Sequence, residues 1–479
     1  MKKSIYFLLG LLVLGGIQAC QEDDSYHVPD DIKVQNFVWK GLNLYYLWQT
    51  DEPDLADDRF ANQDELNTFL RQYPVPENLF EHLLVDRSID RFSVIFSDYR
   101  ELEGILSGTT ENNGVDFSLR YKPGSTTEIF GWVRYILPNS NASTQDIQRG
   151  DLFTTVNGTQ LTVDNYQQLL ANTSYTLGLA DYDGGNITAN GQSVSLTKGV
   201  LSENPVYIHQ TYDYPGHKIG YLMYNGFYPD YDNQLNAAFA GFQSAGISDL
   251  VLDLRYNSGG SVQTATYLAS MITGQFTDQV FAKEQWNAKL MDYFNQNGSE
   301  DIINRFTTSI DNGPAINSLN LSKIYIITSG STASASELII NGLAPYINVV
   351  QIGDDTVGKN VGSVTLYDSE NFQKEGADPS HYYAMQPIVL KIVNKDGFGD
   401  YTNGLDPDID QVEDISNLGI LGDTLEPLLS TAINTITVSG RRAVVEPEII
   451  FRKFSDSKSM DGLRDQMYSN KIPPMHRKF

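Results

Sequence analysis

The sequence predicts a multidomain protein of the α/β and β classes, in which a helical region and a β-rich region precede an α/β core. Its 479 residues exceed what one hydrophobic core usually accommodates, so we expect two or three domains. Apolar residues at helical spacing mark residues 34–106, and closely spaced turn signals mark residues 107–200. From residue 201 onward, apolar strand-like runs alternate with helical patterns, which is typical of a parallel sheet covered by helices.

The composition suits a folded protein with an acidic surface. Hydrophobic residues make up 41% of the chain, and 60 Asp and Glu residues outnumber 33 Lys and Arg residues, for a net charge of −27. Like charges repel, so binding to a phosphate backbone is unfavourable and we expect no nucleic-acid partner. The six histidines are scattered without metal-ligand spacing, and we predict neither a metal nor another cofactor.

The N-terminus predicts a signal peptide. A positive start, Met1–Lys3, precedes an apolar run, Ile5–Ile17, that is too short to span a bilayer comfortably. Cys20, the only cysteine, follows a small residue, as in the lipidation site of bacterial lipoproteins. An ordinary secretory signal with an incidental cysteine is the alternative. We predict a lipoprotein signal peptide at residues 1–20 and a tether at 21–33. This places the protein in the cell envelope, membrane-anchored and facing the periplasm or the cell surface.

Two regions precede the predicted core. The helical region, residues 34–106, is predicted from a stripe at steps of three and four that comprises Val34, Phe37, Val38, Gly41, Tyr45 and Trp48. A helical core stripe explains these aromatic residues better than a ligand site does. The β-rich region, residues 107–200, is predicted from its turn pairs Asn157-Gly158, Asp183-Gly184 and Asn190-Gly191.

The core, residues 201–438, is organised around one segment that carries the candidate chemistry. Apolar runs predict strands at Ile324–Thr328 and Val349–Gly353, with a tight turn and a helix between them. A serine at the start of that helix lies near backbone N–H groups that can stabilise an oxyanion. A lysine beyond the second strand can reach back to this serine, because parallel strands bring their carboxyl ends to one edge of the sheet.

Two further segments are defined by composition. Residues 275–320 form a polar insertion, and either a lid over the site or packing decoration fits this pattern. Residues 439–479 form a C-terminal tail of mixed polarity. Within the tail, Ser455–Lys458 has a Ser-x-x-Lys spacing but lacks a Lys-Thr-Gly partner, so it predicts no second active site.

The segment Thr332–Glu337, followed by Gly353 and then by Gly358-Lys359, resembles the signature of the C-terminal processing peptidases, also called tail-specific proteases. These enzymes use a serine and a lysine as a catalytic dyad. The resemblance implies that Ser334 is the nucleophile and that Lys359, at the family's spacing, is the base. It also implies a protease core of the crotonase-like (ClpP/crotonase) type.

Another loop of the core resembles the family's oxyanion loop. It runs over Arg255–Gly260, with Ser258 in place of the family's proline. The resemblance implies that this loop, through Gly259 and Gly260, offers one donor to the oxyanion. It implies that the second donor comes from Ala335.

The stretch Gly114, Val115, Asp116 and Phe117 resembles the carboxylate-binding loop of a PDZ domain of the bacterial protease type. Such a domain takes an extended peptide as an added strand, and N–H groups of the loop bind the peptide's C-terminus. The family's Pro-Gly-Ser-Pro-Ala segment is degraded here to Leu137–Ala142. A small β domain that only packs on the core is therefore the alternative.

The implied chemistry requires a neutral lysine. A serine hydroxyl becomes a good nucleophile only when a base removes its proton, and the ordinary pKa of lysine is about 10.4. Burial beside apolar groups disfavours the ammonium form and lowers this pKa. The apolar approach to Lys359 is made by Val349, Val350, Ile352 and Val357.

We therefore predict a serine endopeptidase that cuts polypeptide substrates near their C-termini through an acyl-enzyme. Two departures from the family pattern motivate other hypotheses: Ser363 stands in place of a glutamine, and Pro345 stands in place of an acidic residue. The main alternative is a non-catalytic envelope lipoprotein that binds peptides or apolar ligands on the same fold. A third hypothesis is an envelope scaffold that forms a stable complex with a partner.

Overall fold

A computed structural model describes residues 28–438, 451–463, 465 and 467–473 of the chain. The predicted signal peptide, most of the tether, the lipidation candidate Cys20 and residues 439–450 of the predicted tail lie outside these ranges. Among the helices within them, none combines the length and the apolar character needed to cross a membrane.

The N-terminal region is helical, as its periodicity predicts. Side chains cap two of its helices: Asn62 accepts a hydrogen bond from the N–H of Glu65, and Asp98 accepts one from the N–H of Arg100. Phe37 is fully buried in a core cluster that also contains Leu338 of the α/β core, so the two regions share one hydrophobic interior. The elements are α1 (Lys33–Tyr45), α2 (Gln63–Leu70), α3 (Pro76–His82), β1 (Val94–Phe96) and α4 (Tyr99–Leu106).

The β-rich region forms an antiparallel sheet with its own core. Asn157 and Gly158 connect two of its strands with φ angles of 50° and 78°, the positive values that an Asn-Gly hairpin turn requires. Buried side chains such as Leu119, Val133 and Phe153 fill its interior. The elements are β2 (Thr109–Asn112), β3 (Val115–Tyr121), β4 (Ile129–Ile136), β5 (Leu152–Val156), β6 (Thr159–Gln160), α5 (Tyr166–Ala171), β7 (Ser174–Tyr182), β8 (Ile187–Thr197) and β9 (Gly199–Ser202).

The α/β core begins with a hairpin and continues as a parallel sheet. Its first six-stranded sheet has the order β10-β11-β12-β16-β17-β22, in which β11, β12, β16, β17 and β22 run parallel. The elements of this sheet and its helices are β10 (Val206–Tyr214), β11 (His217–Tyr224), α6 (Asp232–Ala245), β12 (Asp249–Asp253), α7 (Val262–Thr273), β16 (Lys323–Thr328), α9 (Ala335–Leu343), β17 (Asn348–Gly353), β22 (Ile409–Asp410) and α10 (Pro427–Thr437).

A second six-stranded sheet has the order β13-β24-β18-β21-β14-β15. It unites strands from distant parts of the sequence, including two residues of the predicted tail. Three short strands, β1, β20 and β19, form a further sheet that links the N-terminal region to the core. These elements are β13 (Gly260–Ser261), β14 (Val280–Trp286), α8 (Ala288–Asn297), β15 (Ile303–Arg305), β18 (Val361–Ser363), β19 (Leu366–Tyr367), β20 (Ala384–Gln386), β21 (Ile388–Asn394) and β24 (Met467–Tyr468). Strand β23 (Lys453–Asp456) instead joins the sheet of the β-rich region beside β3.

Residues 275–320 are part of this architecture. Strand β14 pairs with β21 and β15, and Phe281 and Trp286 are buried in the shared core. Burying large aromatic side chains of this kind contributes roughly 1.5–3 kcal/mol each. The packing alternative for this segment is therefore favoured over a lid.

The parallel arrangement brings three strand ends to one edge. Strands β12, β16 and β17 are neighbours in the order of the sheet, and the loops that follow them carry most of the predicted catalytic residues. This placement agrees with the general rule that parallel sheets gather their sites at the carboxyl ends of strands.

Candidate active site

The predicted nucleophile, Ser334, occupies a strained turn. It is the residue before helix α9, with φ 66° and ψ −114°, a conformation that residues other than glycine rarely adopt. The turn is tied to the loop after β12, because the N–H of Ala333 and the Oγ of Ser336 each donate to the carbonyl of Asn257 at 3.1 Å. Ser334 is fully buried, and its Oγ makes no hydrogen bond within the described residues.

One carboxylate joins the nucleophile turn to the lysine loop. Oε2 of Glu337 accepts hydrogen bonds from the N–H of Ser334 at 2.6 Å and from the N–H of Lys359 at 2.9 Å. Its Oε1 accepts from the N–H of Gly358 at 2.6 Å and from the Oγ1 of Thr356 at 2.5 Å. Because the amides of Ser334 and Lys359 meet at the same oxygen, the backbones of the two predicted dyad residues are close neighbours.

Burial raises the pKa of the Glu337 carboxyl to about 7, although its four hydrogen-bond donors act in the opposite direction. The cause is desolvation, since the side chain is fully buried. The carboxyl therefore changes its charge near neutral pH, directly beside both predicted dyad residues.

We expect this ionisation to make the unfolding free energy depend on pH. A carboxyl with a pKa of about 4.3 when unfolded and about 7 when folded favours folding while it is protonated. Its contribution is fully present below the unfolded value and is lost as pH rises through 7, a change of about 3 kcal/mol. Urea unfolding from about pH 4.5 to about pH 8 measures this change, and Glu337→Gln should lack it.

The control for this experiment is Glu370→Gln, which removes an exposed carboxyl. Its free energy of unfolding should follow the pH dependence of the wild type. If the curve of Glu337→Gln also ran parallel to that of the wild type, Glu337 would have the same pKa folded and unfolded, contrary to our expectation.

The predicted base, Lys359, is buried with 1% of its surface exposed. It follows Gly358, whose φ of 84° and whose close approach to the carbonyl of Thr402 leave no room for a Cβ. The Nζ atom lies 4.4 Å from the centroid of the Phe92 ring. The ring face favours the ammonium form, whereas burial disfavours it, so a role as base requires that burial dominate.

The N-terminal region thus reaches into the candidate site. Phe92 contacts the lysine, and Nη2 of the adjacent Arg91 donates to the carbonyl of Gly358 at 2.8 Å. The carboxylate of Asp90 shapes this turn by accepting hydrogen bonds from the N–H groups of Phe92 and Ser93. The N-terminal region therefore supports the lysine loop, a contact that its sequence pattern did not predict.

The loop after β12 has the conformation of a candidate oxyanion site. Gly259 and Gly260 have φ angles of 102° and 139°, and a Cβ on Gly260 would lie 2.3 Å from the carbonyl oxygen of Phe227. The N–H of Gly259, however, donates to Oδ1 of Asn257 at 2.8 Å. In this conformation the N–H of Gly259 is therefore bound to Asn257 and is not directed at an oxyanion. The role of the Gly259-Gly260 loop as an oxyanion donor stays a prediction.

A buried charge network anchors the same loop. Arg255 is fully buried, with Nη2 at 2.7 Å from Oδ2 of Asp253 and Nη1 at 2.6 Å from Oε1 of Glu426. Burial alone would lower the pKa of Arg255, but the carboxylates around it outweigh burial and raise this pKa. Its carbonyl accepts a hydrogen bond from the Oγ of Ser329, so the network also holds the turn before Ser334.

The predicted carboxylate-binding loop is already occupied by other groups. The N–H of Gly114 donates to the side chain of Asn112, and the N–H of Val115 donates to that of Asn113. The N–H of Phe117 donates to the Oγ of Ser457, at 3.1 Å. Asp116 forms a buried ion pair with Arg134. The four predicted residues thus lie together, but three of their N–H groups have partners in this conformation.

Ser363, which departs from the family's pattern, contacts the C-terminal segment. Its Oγ donates to the carbonyl of Met467 at 3.2 Å and accepts a hydrogen bond from Nε2 of Gln386 at 3.0 Å. Ser363 therefore contacts a glutamine amide that is supplied by β20.

Sequence reasoning missed the roles of Glu337, Arg91 and Phe92. Glu337 stands three residues after Ser334, the spacing at which an acidic side chain returns to the N–H at a helix start. This spacing was the available signal for Glu337. Arg91 and Phe92 lie in the segment Asp90–Phe96, which resembles the end of the family's N-terminal helical region. That resemblance did not indicate a contact with the lysine loop, 267 residues away in sequence.

Comparison with known proteins places these features in context. The profile of peptidase family S41 matches residues 218–409, and that of the peptidase S41 N-terminal domain matches residues 33–94. A chloroplastic C-terminal processing peptidase of Tetradesmus obliquus is 22% identical over 349 residues, which cover 69% of this chain and 70% of the relative. A carboxyl-terminal-processing protease of Picosynechococcus sp. (strain ATCC 27264 / PCC 7002 / PR-6) is 24% identical over 170 residues, 36% of each chain.

The fold has a counterpart among solved structures. A protein assigned to the S41 proteases, from Bacteroides fragilis NCTC 9343, is 27% identical and superposes with a TM-score of 0.64. The match covers 86% of this chain and 98% of that protein. It therefore spans the helical region, the β-rich region and the α/β core together.

Proposed function

Because this chain belongs to peptidase family S41 and is a serine-type peptidase, we propose that Ser334 attacks the scissile peptide bond and that Lys359 takes its proton. The observation that carries this proposal is the shared Glu337 carboxylate, which binds the N–H groups of both residues. The proposal is supported by the closeness of the two backbones and by the burial of both residues, because burial favours a neutral lysine.

The proposed reaction proceeds in two stages. The neutral amine of Lys359 accepts the Oγ proton while Oγ of Ser334 bonds to the substrate carbonyl carbon. The resulting ammonium protonates the departing amine as the C–N bond breaks, and an ester remains on Ser334. Water then attacks the ester carbon and gives a proton to Lys359. The ammonium returns this proton to Oγ of Ser334 as the ester C–O bond breaks, which releases a carboxylic acid product and restores the serine and the neutral lysine.

The oxyanion of each tetrahedral intermediate requires N–H donors. We assign these to Gly260 and Ala335, since the N–H of Gly259 is bound to Asn257. The positive φ of Ser334 supports this assignment, because a sharp turn before a helix directs neighbouring N–H groups to the reacting centre. Loss of one such donor costs on the order of 3 kcal/mol of transition-state stabilisation.

The substrates in this proposal are polypeptides cut near their C-termini. The names of the two processing peptidases that resemble this chain support C-terminal processing. The edge of the PDZ-like sheet at β3, with which β23 pairs in this structure, would hold an extended peptide. The N-terminal sequence supports export as a lipoprotein anchored to the envelope through Cys20.

Labelling with a fluorophosphonate probe tests the proposed dyad. The probe bonds irreversibly to an activated serine, so label accumulates during transient opening even though Oγ is buried. We expect mass spectrometry to find the modification on Ser334, and labelling should be lost in Lys359→Met. Modification of a different serine, or unchanged labelling of Ser334 in Lys359→Met, would refute the assignment.

A further inference from the structure

The C-terminal segment, residues 451–473, of which the structure describes 451–463, 465 and 467–473, adds a strand to the β-rich domain. Strand β23 pairs antiparallel with β3, with Lys453 opposite Arg120 and Asp456 opposite Ser118. Strand β3 begins directly after Gly114 of the predicted peptide-binding loop. An extended peptide that bound this domain by strand addition would need the same edge of β3.

The next residues of the segment engage the predicted loop itself. The Oγ of Ser457 donates to Oδ2 of Asp116 at 2.9 Å and accepts from the N–H of Phe117 at 3.1 Å. The ring of Phe454 packs edge-on against Tyr121 and Tyr166, with centroids 5.3 and 5.1 Å apart. The segment therefore uses both backbone pairing and side-chain contacts on this domain, as a bound peptide does.

The segment is also tied to the turn that carries Ser334. Nζ of Lys453 donates to the carbonyl of Gly330 and to the Oγ of Ser331, each at 2.7 Å. The Oγ of Ser331 donates to the carboxylate of Asp456 at 3.2 Å. Burial opposes ionisation of Asp456, but the charges of Lys453 and Arg134 outweigh burial and hold the pKa of this carboxyl well below its usual range.

The segment finally enters the gap between the two halves of the candidate active site. Strand β24 lies between β13 and β18 and runs parallel to both. Met467 is opposite Gly260 of the oxyanion loop, and Tyr468 is opposite Ser363, four residues after Lys359. The N–H of Ser469 donates to the carbonyl of Ser363 at 3.0 Å, so the backbone bridges both sides of the site.

We propose that residues 451–473 are a resident polypeptide in the enzyme's own substrate path and must be displaced before another polypeptide can be cut. The proposal rests on the proposed function of Ser334 and Lys359. It explains why the N–H of Phe117, in the predicted peptide-binding loop, is bound to Ser457.

The contacts are suited to competition. Strand β23 is short, and the side chains of Lys453–Asp456 are only half-buried, so a longer peptide can exchange with this strand first. Met467 and Tyr468 of β24 are buried, so β24 is the part of the segment that is harder to displace. A tethered segment meets its site at an effective concentration on the order of millimolar. Substrates at micromolar concentration would therefore bind poorly while the segment is in place.

The test uses the full chain with substitutions that loosen the segment. Phe454→Glu places a charge against two aromatic rings, and Lys453→Glu removes the hydrogen bonds to the turn and adds repulsion toward Asp456. We expect both variants to speed fluorophosphonate labelling of Ser334 and hydrolysis of an unfolded polypeptide by about tenfold or more. The matched control is Asn470→Glu, which adds a charge at an exposed position of the segment and should leave both rates unchanged.

Amide hydrogen exchange shows whether the C-terminal segment has been released in these variants. Amides of β3 and of the C-terminal segment should exchange faster in the two loosened variants, while those of β16 and β17 should stay protected. If the segment were released in this way but labelling and hydrolysis were no faster than in the wild type, the segment would not be a competitor.

A binding measurement separates this inference from the catalytic proposal. A fluorescent synthetic peptide with the sequence of residues 451–473 is added to the full chain carrying Ser334→Ala and Phe454→Glu. We expect saturable binding that an unlabelled copy displaces and a scrambled copy does not. If the peptide binds but Ser334 is not labelled in the Phe454→Glu chain, the inference about the segment stands and the proposed Ser334–Lys359 dyad is refuted. If the peptide does not bind to a chain whose own segment is released, the inference about the segment is overturned.

Discussion

Replacing Ser334 by alanine is expected to abolish peptide hydrolysis, by a factor of at least about a thousand, without unfolding the protein. The loss follows because alanine has no oxygen to form the ester. Stability should be unchanged or slightly higher, since the Oγ is buried without a hydrogen-bond partner among the described residues, and an unsatisfied polar group destabilises the folded state. Peptide turnover and urea unfolding measure the two quantities.

The neighbouring Ser336→Ala is the matched control. The Oγ of Ser336 donates to the carbonyl of Asn257, so its removal should cost about 1 kcal/mol of stability. Its turnover should stay within about tenfold of the wild type. The two variants should therefore show opposite patterns, and turnover by Ser334→Ala at the wild-type rate would contradict its role as nucleophile.

Replacing Lys359 by methionine is expected to lower turnover by a similar factor, about a thousandfold or more. Methionine fills the buried space beside Phe92 but offers no base. The folded state should be retained, because methionine is close to lysine in volume and carries no polar group that burial would penalise. Lys359→Arg should be equally inactive, since a guanidinium stays protonated and keeps the charge without acting as a base.

The exposed Lys374→Met controls for the loss of a lysine elsewhere, and we expect it to retain full turnover. If Lys359→Arg were active, only a positive charge would be needed at this position. Residue 359 would then have an electrostatic role and would not act as a base.

The sequence predicted the parts of the fold that depend on local patterns. Ile324–Thr328 and Val349–Gly353 were predicted as strands from their apolar runs, and the structure has them one residue longer at their starts. The predicted helix between them is α9, and its first residue is Ala335. These elements form from short-range regularities, so the order strand, turn, helix and strand follows from the sequence alone.

Contacts between distant segments could not be predicted in the same way. The hydrogen bond from Arg91 to Gly358 depends on how two domains pack, and no local pattern encodes it. The C-terminal segment has mixed polarity, which suggested a tail. The structure instead places Met467 in the core and pairs β24 with two strands of the active site.

The contact of Glu337 with the backbones of Ser334 and Lys359 could be predicted only in part from the sequence. The motif that contains Ser334 and Glu337 was visible in the sequence, and the lysine followed at a recognised spacing. The spacing indicated that the residues act together, but it did not show that Glu337 holds them. That role depends on burial and on hydrogen bonds that only the folded chain provides.

The pH dependence of the fluorophosphonate labelling rate at Ser334 tests the central claim most directly. If a buried, neutral Lys359 activates the serine, the rate should rise with an apparent pKa below the ordinary lysine value of about 10.4, and this rise should vanish in Lys359→Met. A rate that rises only at or above that value, or an identical profile in the wild type and Lys359→Met, would show that the amine does not activate Ser334.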